Sequence, residues 1–180
     1  QSTLHRSMEA KSTARNLRSI FNSEELFCVH PPLPAQGLFA DEGAANHTRF
    51  VGAGKSVGLE FFVFGMPSGS TGETTRKFPA RQTQLASEAV ARRHQLQADR
   101  VCFGQQNPEV IDAGVFHNDV IAVGHEDILL CHSQAFLNQP ELLDRLSLQF
   151  ENLSGSSLQV IEFSESELPL QDAVSSYLFN

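Results

Sequence analysis

An alternation of short apolar segments with amphipathic helical segments is the feature that most constrains the fold. Strand-like runs are predicted at residues 59–64, 101–103, 120–123, 128–131 and 158–163. Amphipathic helices are predicted at residues 82–97 and 138–150. The order strand, helix, strand, strand, helix, strand is typical of a mixed α/β architecture built from repeated small units. No internal repeat is visible in the amino-acid sequence itself.

The remaining segments carry weaker patterns. Leu17, Ile20 and Phe21 have helical spacing, with Ser12 or Thr13 as candidate caps. The pattern also predicts a short strand at 27–30, a long functional loop at 34–56, a mobile connection at 67–75 and a helix from Pro169. Glycines at 52 and 54 suit a turn rather than a phosphate loop, because that motif requires glycine at position 49 and a following helix.

Charge and cysteine content exclude several classes of protein. The net charge of −8 argues against binding to nucleic acid or to an anionic membrane surface. No apolar run approaches the roughly 18 residues of a membrane-spanning helix. The three cysteines have no metal-binding or disulfide-framework spacing, so buried, reduced thiols of a cytoplasmic protein are expected. The chain starts with Gln1 and ends without a helix stop signal, which is typical of a piece of a longer protein.

The segment 114–124 places an imidazole and a carboxylate two residues apart. In a strand, His117 and Asp119 would project from one face. Such a pair suits general acid/base chemistry or the binding of a cation. The alternative is that both side chains are hydrogen-bonded surface groups at the entrance of a strand, and spacing alone favours this alternative.

Three further groups of polar residues are candidates for function. The segment 41–49 combines ionisable side chains with small residues, and a metal site there would use Glu42, His47, His117 and Asp119. A solvated loop is the simpler interpretation of that segment. Arg81, just before a helix, could bind a substrate carboxylate or form a surface salt bridge. The same alternatives hold for His5 and Arg6.

Six sequence blocks, in order, resemble the N-succinylarginine dihydrolase family of bacterial arginine catabolism, in the guanidine-modifying (pentein) superfamily. The blocks are Asp41–His47, Phe78–Thr83, Ala86–Arg92, Gln105–Pro108, Gly114–Val123 and Asp172–Asn180. The resemblance covers essentially the whole chain. It implies an α+β fold, in which residues 1–180 are the middle section of a single pentein catalytic domain. That section would be a partial α/β propeller of ββαβ-type units.

The resemblance also implies an activity and roles for residues. Family members hydrolyse the guanidinium of N-succinylarginine to succinylornithine, two ammonia and carbon dioxide, through a covalent cysteine intermediate and without a cofactor or metal. Glu42 and His117 match the catalytic glutamate and histidine. Asp119 matches the carboxylate that holds the guanidinium, and the matching substrate-binding positions are Arg81, His5 and Arg6. The family implies a homodimer and no nucleic-acid or membrane partner.

The family's nucleophilic cysteine follows a Gly-rich segment downstream of the region matched here. Cys28, Cys102 and Cys131 do not match that position, so the chain alone is expected to be inactive and poorly stable. Two alternatives stay open. One is a binding module that retains a guanidinium ligand without turnover. The other is a metal hydrolase that uses His117, Asp119 and Glu42.

Overall fold

A computed structural model describes residues 4–39, 43–69 and 75–180. The α-helices in these ranges are α1 (Leu4–Ile20), α2 (Gln84–Arg93), α3 (Pro108–Asp112), α4 (Gln139–Ser154) and α5 (Leu170–Ser176). The strands are β1 (His47–Val51), β2 (Gly58–Phe64), β3 (Val101–Gln105), β4 (Ala122–His125), β5 (Ile128–His132) and β6 (Gln159–Phe163). Short 3₁₀ turns cover Gly37–Phe39, Gly43–Asn46, Ala98–Arg100 and Asn118–Val120.

The strands form two sheets of identical topology. In the first, β1 is antiparallel to β2 and β2 is parallel to β3. In the second, β4 is antiparallel to β5 and β5 is parallel to β6. The parallel pairs are joined through α2 and α4 respectively, as parallel strands require a crossover connection. We call β1–β2–α2–β3 unit 1 and β4–β5–α4–β6 unit 2. Both are ββαβ units, in agreement with the expected mixed α+β fold.

Local sequence explains these elements. Strand β2 is buried at every position except Glu60, which is half-buried, because it is the central strand of its sheet. Helix α2 begins after Thr83, whose hydroxyl accepts a hydrogen bond from the N–H of Ala86 at 3.0 Å. Helix α4 ends at Gly155, which has a φ of 74° and suits the left-handed conformation of a helix C-terminus.

One hydrophobic core joins the two units. It contains Phe50 and Phe61 of unit 1 and Leu129 and Phe150 of unit 2. Strand β4 lies so close to β1 that a Cβ on Gly124 would be 2.5 Å from a ring carbon of Phe50. Glycine is therefore required where the two sheets meet. Within the described residues, no helix is both long enough and apolar enough to cross a bilayer.

Several expectations for the N-terminal half are wrong. Residues 27–30 form no strand, and Ser12 and Thr13 lie inside α1 rather than at its start, because the helix begins at Leu4. The segment 34–56 is not a continuous loop, since its polar residues from His47 form the edge strand β1. Cys28 is exposed, whereas Cys102 and Cys131 are buried as expected. The connection expected at 67–75 lies partly outside the described residues.

Candidate functional site

Two connections of the chain bring Arg81 and His117 together. Arg81 lies between β2 and α2, and His117 lies between α3 and β4. The Nη1 atom of Arg81 is 3.1 Å from Nε2 of His117. A guanidinium only donates hydrogen bonds, so this contact is a hydrogen bond in the tautomer whose Nε2 carries no proton and can accept. Two residues matched to substrate binding and to catalysis therefore touch directly, although 36 positions separate them.

An aromatic pair supports the guanidinium. The Arg81 guanidinium carbon lies 5.5 Å from the centre of the Phe116 ring. Phe116 in turn meets Phe78 edge-to-face, with ring centres 5.3 Å apart. Cation–π contact on one side and His117 on another restrict where the flexible arginine side chain points. Arg81 is an exposed residue, so it is accessible to a ligand in solution.

Asp112, at the end of α3, holds the segment that leads to Arg81. Its carboxylate accepts hydrogen bonds from the backbone N–H groups of Arg76, Lys77 and Phe78 at 2.7, 2.8 and 2.9 Å. These donors favour the charged carboxylate, and the bonds from Phe78 and then Arg76 contribute most to lowering the pKa of Asp112 below its usual value. The contact fixes Phe78 and hence the aromatic support of Arg81.

A cluster of buried amides lies beneath the contact between Arg81 and His117. Asn46 Nδ2 donates to Gln82 Oε1 at 3.1 Å, and Asn46 Oδ1 accepts from the N–H of Asn118 at 3.2 Å. Gln82 Nε2 donates to the hydroxyl of Ser87 at 2.8 Å. The three amide residues are at most 4% exposed. We call Asn46, Gln82 and Asn118 the amide cluster.

The expected strand around His117 and Asp119 is wrong. His117 precedes a 3₁₀ turn, and Asp119 lies within that turn. The N–H of Ile121 donates to the carbonyl of Asn118 at 3.0 Å, so the chain closes a turn before β4 begins. The two side chains are consequently not related by the two-residue period of a strand. Both are half-buried.

His47 makes a separate set of contacts on the first sheet. Its Nε2 atom is 2.8 Å from Glu60 Oε2, and Arg49 Nε is 3.2 Å from Glu60 Oε1. The described residues contain no group of three His, Cys, Asp or Glu side chains arranged to hold a metal ion. Glu42 lies outside the described residues, so the metal-hydrolase alternative stays a hypothesis.

Comparison with known proteins matches the whole chain to one family. A family model described as succinylarginine dihydrolase matches residues 1–180. The chain is 50% identical over 179 residues to the N-succinylarginine dihydrolase of Burkholderia thailandensis, covering 99% of this chain and 40% of that protein. It is 51% identical over 177 residues to the enzyme of the same name from Pseudoalteromonas translucida, covering 98% of this chain and 39% of that protein.

The chain belongs to the succinylarginine dihydrolase family. This confirms the resemblance drawn from the six sequence blocks. The chain spans about two fifths of the length of these curated relatives.

The structure places only some of the residues matched to the family's site. Arg81 and His117 are in contact, and Asp119 lies two residues beyond His117 in the same turn. His5 and Arg6 lie in the first turns of α1. Glu42 falls outside the described residues, immediately before the 3₁₀ turn Gly43–Asn46 that contributes Asn46 to the amide cluster.

The two buried thiols are unsuited to the nucleophilic role in this dihydrolase family. Burial, together with the nearby Glu162 carboxylate, raises the pKa of the Cys131 thiol to about 12. Burial also raises the pKa of Cys102. Because the thiolate is the nucleophile, both groups are protonated and inert near neutral pH. These properties agree with the expectation from the family resemblance that neither cysteine is the nucleophile.

Asn46, Gln82 and Asp112 are structural contributors to the site that the sequence analysis did not single out. Asn46 and Gln82 stand inside the blocks that carried the resemblance, next to small residues and to Arg81. The segment around Asn46 is expected to be a solvated loop, and nothing in the local sequence indicates that its amide is buried. Asp112 ends a short helix, and its three backbone partners lie more than thirty residues away.

Proposed function

We propose that the full-length protein containing this chain hydrolyses N-succinylarginine to succinylornithine, two ammonia and carbon dioxide. Identity of 50% over nearly the whole chain to a protein named N-succinylarginine dihydrolase supports this substrate. The observation that carries the proposal within the molecule is the 3.1 Å contact between Arg81 and His117. It places Arg81, a cation that can bind a carboxylate, next to His117, which can transfer a proton.

The chemistry requires a nucleophile, a proton carrier and an anion. A guanidinium resists deprotonation near neutral pH, so carboxylates are needed to hold it and orient its carbon. We assign this role to Asp119 and Glu42. A cysteine from another part of the full-length protein gives its thiol proton to His117 and attacks the carbon as a thiolate, and His117 then delivers that proton to the departing ammonia. Water then hydrolyses the covalent intermediate, and the cycle repeats on the second nitrogen.

The substrate also carries carboxylates, on the succinyl group and on the α-carbon. Arg81 suits one of them, because a guanidinium binds a carboxylate through two parallel hydrogen bonds. We assign His5 and Arg6 to the remaining carboxylate, following the family match. Binding of a carboxylate to Arg81 competes with its contact to His117, so substrate binding would release the Nε2 lone pair for proton transfer.

We also propose that the two units belong to the pentein propeller. Their identical ββαβ topology and shared core support this arrangement, since repeated units bury their faces against one another. Residues 1–180 would then be the middle section of one catalytic domain. The homodimer implied by the resemblance and the cytoplasmic location inferred from the cysteines stay predictions.

Ammonia release by the full-length protein tests the proposed function. We expect two ammonia for each succinylornithine formed from N-succinylarginine, and far slower release from free arginine. Binding of the substrate without ammonia release would favour the alternative of a binding module. Loss of activity with a chelator would favour the metal hydrolase, because the cysteine route needs no metal. Residues 1–180 alone should release no ammonia.

A further inference from the structure

We infer that Asn46 is a positioning residue, whose side chain sets the contact between Arg81 and His117. The inference rests on the proposed function and adds a residue to its site. The hydrogen bonds of the Asn46 side chain go to the neighbours of these two residues in the chain. Asn46 holds the residue that follows Arg81 and the residue that follows His117, and so links two connections that are distant in sequence.

The geometry of Asn46 places it between the two connections. Its amide nitrogen donates to the side chain of Gln82, and its amide oxygen accepts from the backbone of Asn118. The carbonyl of Gln82 also accepts hydrogen bonds from the N–H groups of Gly65 and Met66, both at 2.9 Å. The end of β2 is thereby connected through Gln82 and Asn46 to the turn after His117.

Burial makes this arrangement specific. Asn46 is 3% exposed, and a buried amide deprived of a partner is costly, so its two hydrogen bonds define one relative position of the connections. The bond to Asn118 is made by a backbone N–H, which fixes the peptide next to His117 rather than a mobile side chain. A small displacement there would change the position of His117 relative to Arg81 and to the substrate, and catalytic groups tolerate about 1 Å of misplacement poorly.

Kinetics of the full-length enzyme test the inference. In Asn46→Ala both hydrogen bonds are lost, so we expect kcat to fall and KM to rise, with kcat/KM lower by about 10²-fold. Asn46→Asp keeps the acceptor for Asn118. Rotation of the Gln82 amide can then direct its Nε2 to the new carboxylate, so this variant should recover at least part of the loss in KM.

Gln139 provides a matched control. It is a buried amide in unit 2 that accepts from the N–H of Phe136 at 3.0 Å and donates to the carbonyl of His132 at 3.0 Å. Gln139→Ala should lower Tm but leave KM unchanged. If Asn46→Ala also lowers Tm with an unchanged KM, Asn46 has a structural role only and the inference is wrong.

Hydrogen exchange provides a test that does not depend on activity. The N–H of Asn118 should be protected from exchange in the wild type and should exchange at least about 10-fold faster in Asn46→Ala, while the amides of unit 2 keep their protection. An unchanged rate at Asn118 would overturn the positioning role. If the wild type shows this protection but no ammonia release, the proposed function fails while the geometric link stands.

Discussion

The two units share one strand order but differ in the connection between the second strand and the helix. In unit 1 this connection covers residues 65–83 and carries Arg81. In unit 2 it covers only residues 133–138, and the N–H groups of Ser133, Gln134 and Ala135 all donate hydrogen bonds within the unit. The same scaffold therefore supports an outward-facing arginine in one unit and a closed turn in the other.

The two histidines show the same contrast. His132 is fully buried, its Nδ1 accepts from the N–H of Gln134, and its Nε2 lies 3.0 Å from the carbonyl of Leu168. Both ring nitrogens thus contact backbone groups, Nδ1 in the connection of unit 2 and Nε2 in the segment that follows β6. His117 is half-buried and directs Nε2 to Arg81. The long connection between β2 and α2, rather than either sheet, carries the arginine that contacts His117.

The largest expected effect is on kcat, and it distinguishes His117 from His132. His117→Ala in the full-length enzyme should lower kcat by about 10²–10⁴-fold, because proton transfer to the leaving ammonia is lost, with substrate binding little changed. His132→Gln should lower Tm and leave kcat nearly unchanged. Steady-state ammonia assays and thermal melts measure both. A near-normal kcat in His117→Ala would remove that residue from the reaction.

A smaller effect is expected at the arginine. Arg81→Ala should raise KM by about 10–100-fold, because charge-assisted hydrogen bonds to a substrate carboxylate are lost. The change in kcat should be smaller. Arg92→Ala is the matched control, since Arg92 lies on the exposed side of α2 and pairs with Glu88. If both variants have the wild-type KM, Arg81 does not contact substrate.

The interface between the units is expected to be sensitive to a single methyl group. Gly124→Ala should reduce the free energy of unfolding by about 1–3 kcal/mol, because its Cβ would collide with Phe50. Gly37→Ala is the control, since a Cβ there meets nothing within 4 Å. Denaturant unfolding compares the two. Equal stabilities would show that the sheets can separate freely at this point.

The smallest effect is expected at Asp112 and depends on pH. The pKa of this carboxyl in the folded protein is lowered, chiefly by the N–H groups of Phe78 and Arg76. Its contribution to stability is therefore present above the unfolded pKa of about 3.9 and is lost as the pH falls through the lower folded pKa. Asp112→Asn should be less stable than the wild type near neutral pH, and the difference should shrink below about pH 4. A difference that is constant with pH would contradict this assignment.

Much of the fold could be predicted from hydrophobic pattern. The apolar runs predicted β2 through β6, and apolar residues at helical spacing predicted α2 and α4. Strand β1 was missed because His47, Thr48 and Arg49 are polar, which is tolerated at the edge of a sheet but resembles a loop. Without β1 the repetition of the two units could not be recognised.

The site was less predictable, since its geometry depends on long-range contacts. The six blocks indicated Arg81 and His117 through the family resemblance, but spacing alone favoured a surface role for each. The turn at Asn118 was mistaken for a strand, because its N–H is satisfied by Asn46, a partner 72 positions away. A local sequence pattern cannot indicate so distant a partner. The backbone conformation at Asn118 is therefore set by tertiary contacts.

The central claim is that the connection between β2 and α2 and the connection between α3 and β4 together surround the substrate's guanidinium and one of its carboxylates. A crystal structure of full-length His117→Ala with bound N-succinylarginine tests this most directly. We predict a carboxylate of the substrate on Arg81 and the guanidinium against Asp119 and Glu42. Substrate bound away from Arg81 and Asp119, with both side chains facing solvent, would contradict the account.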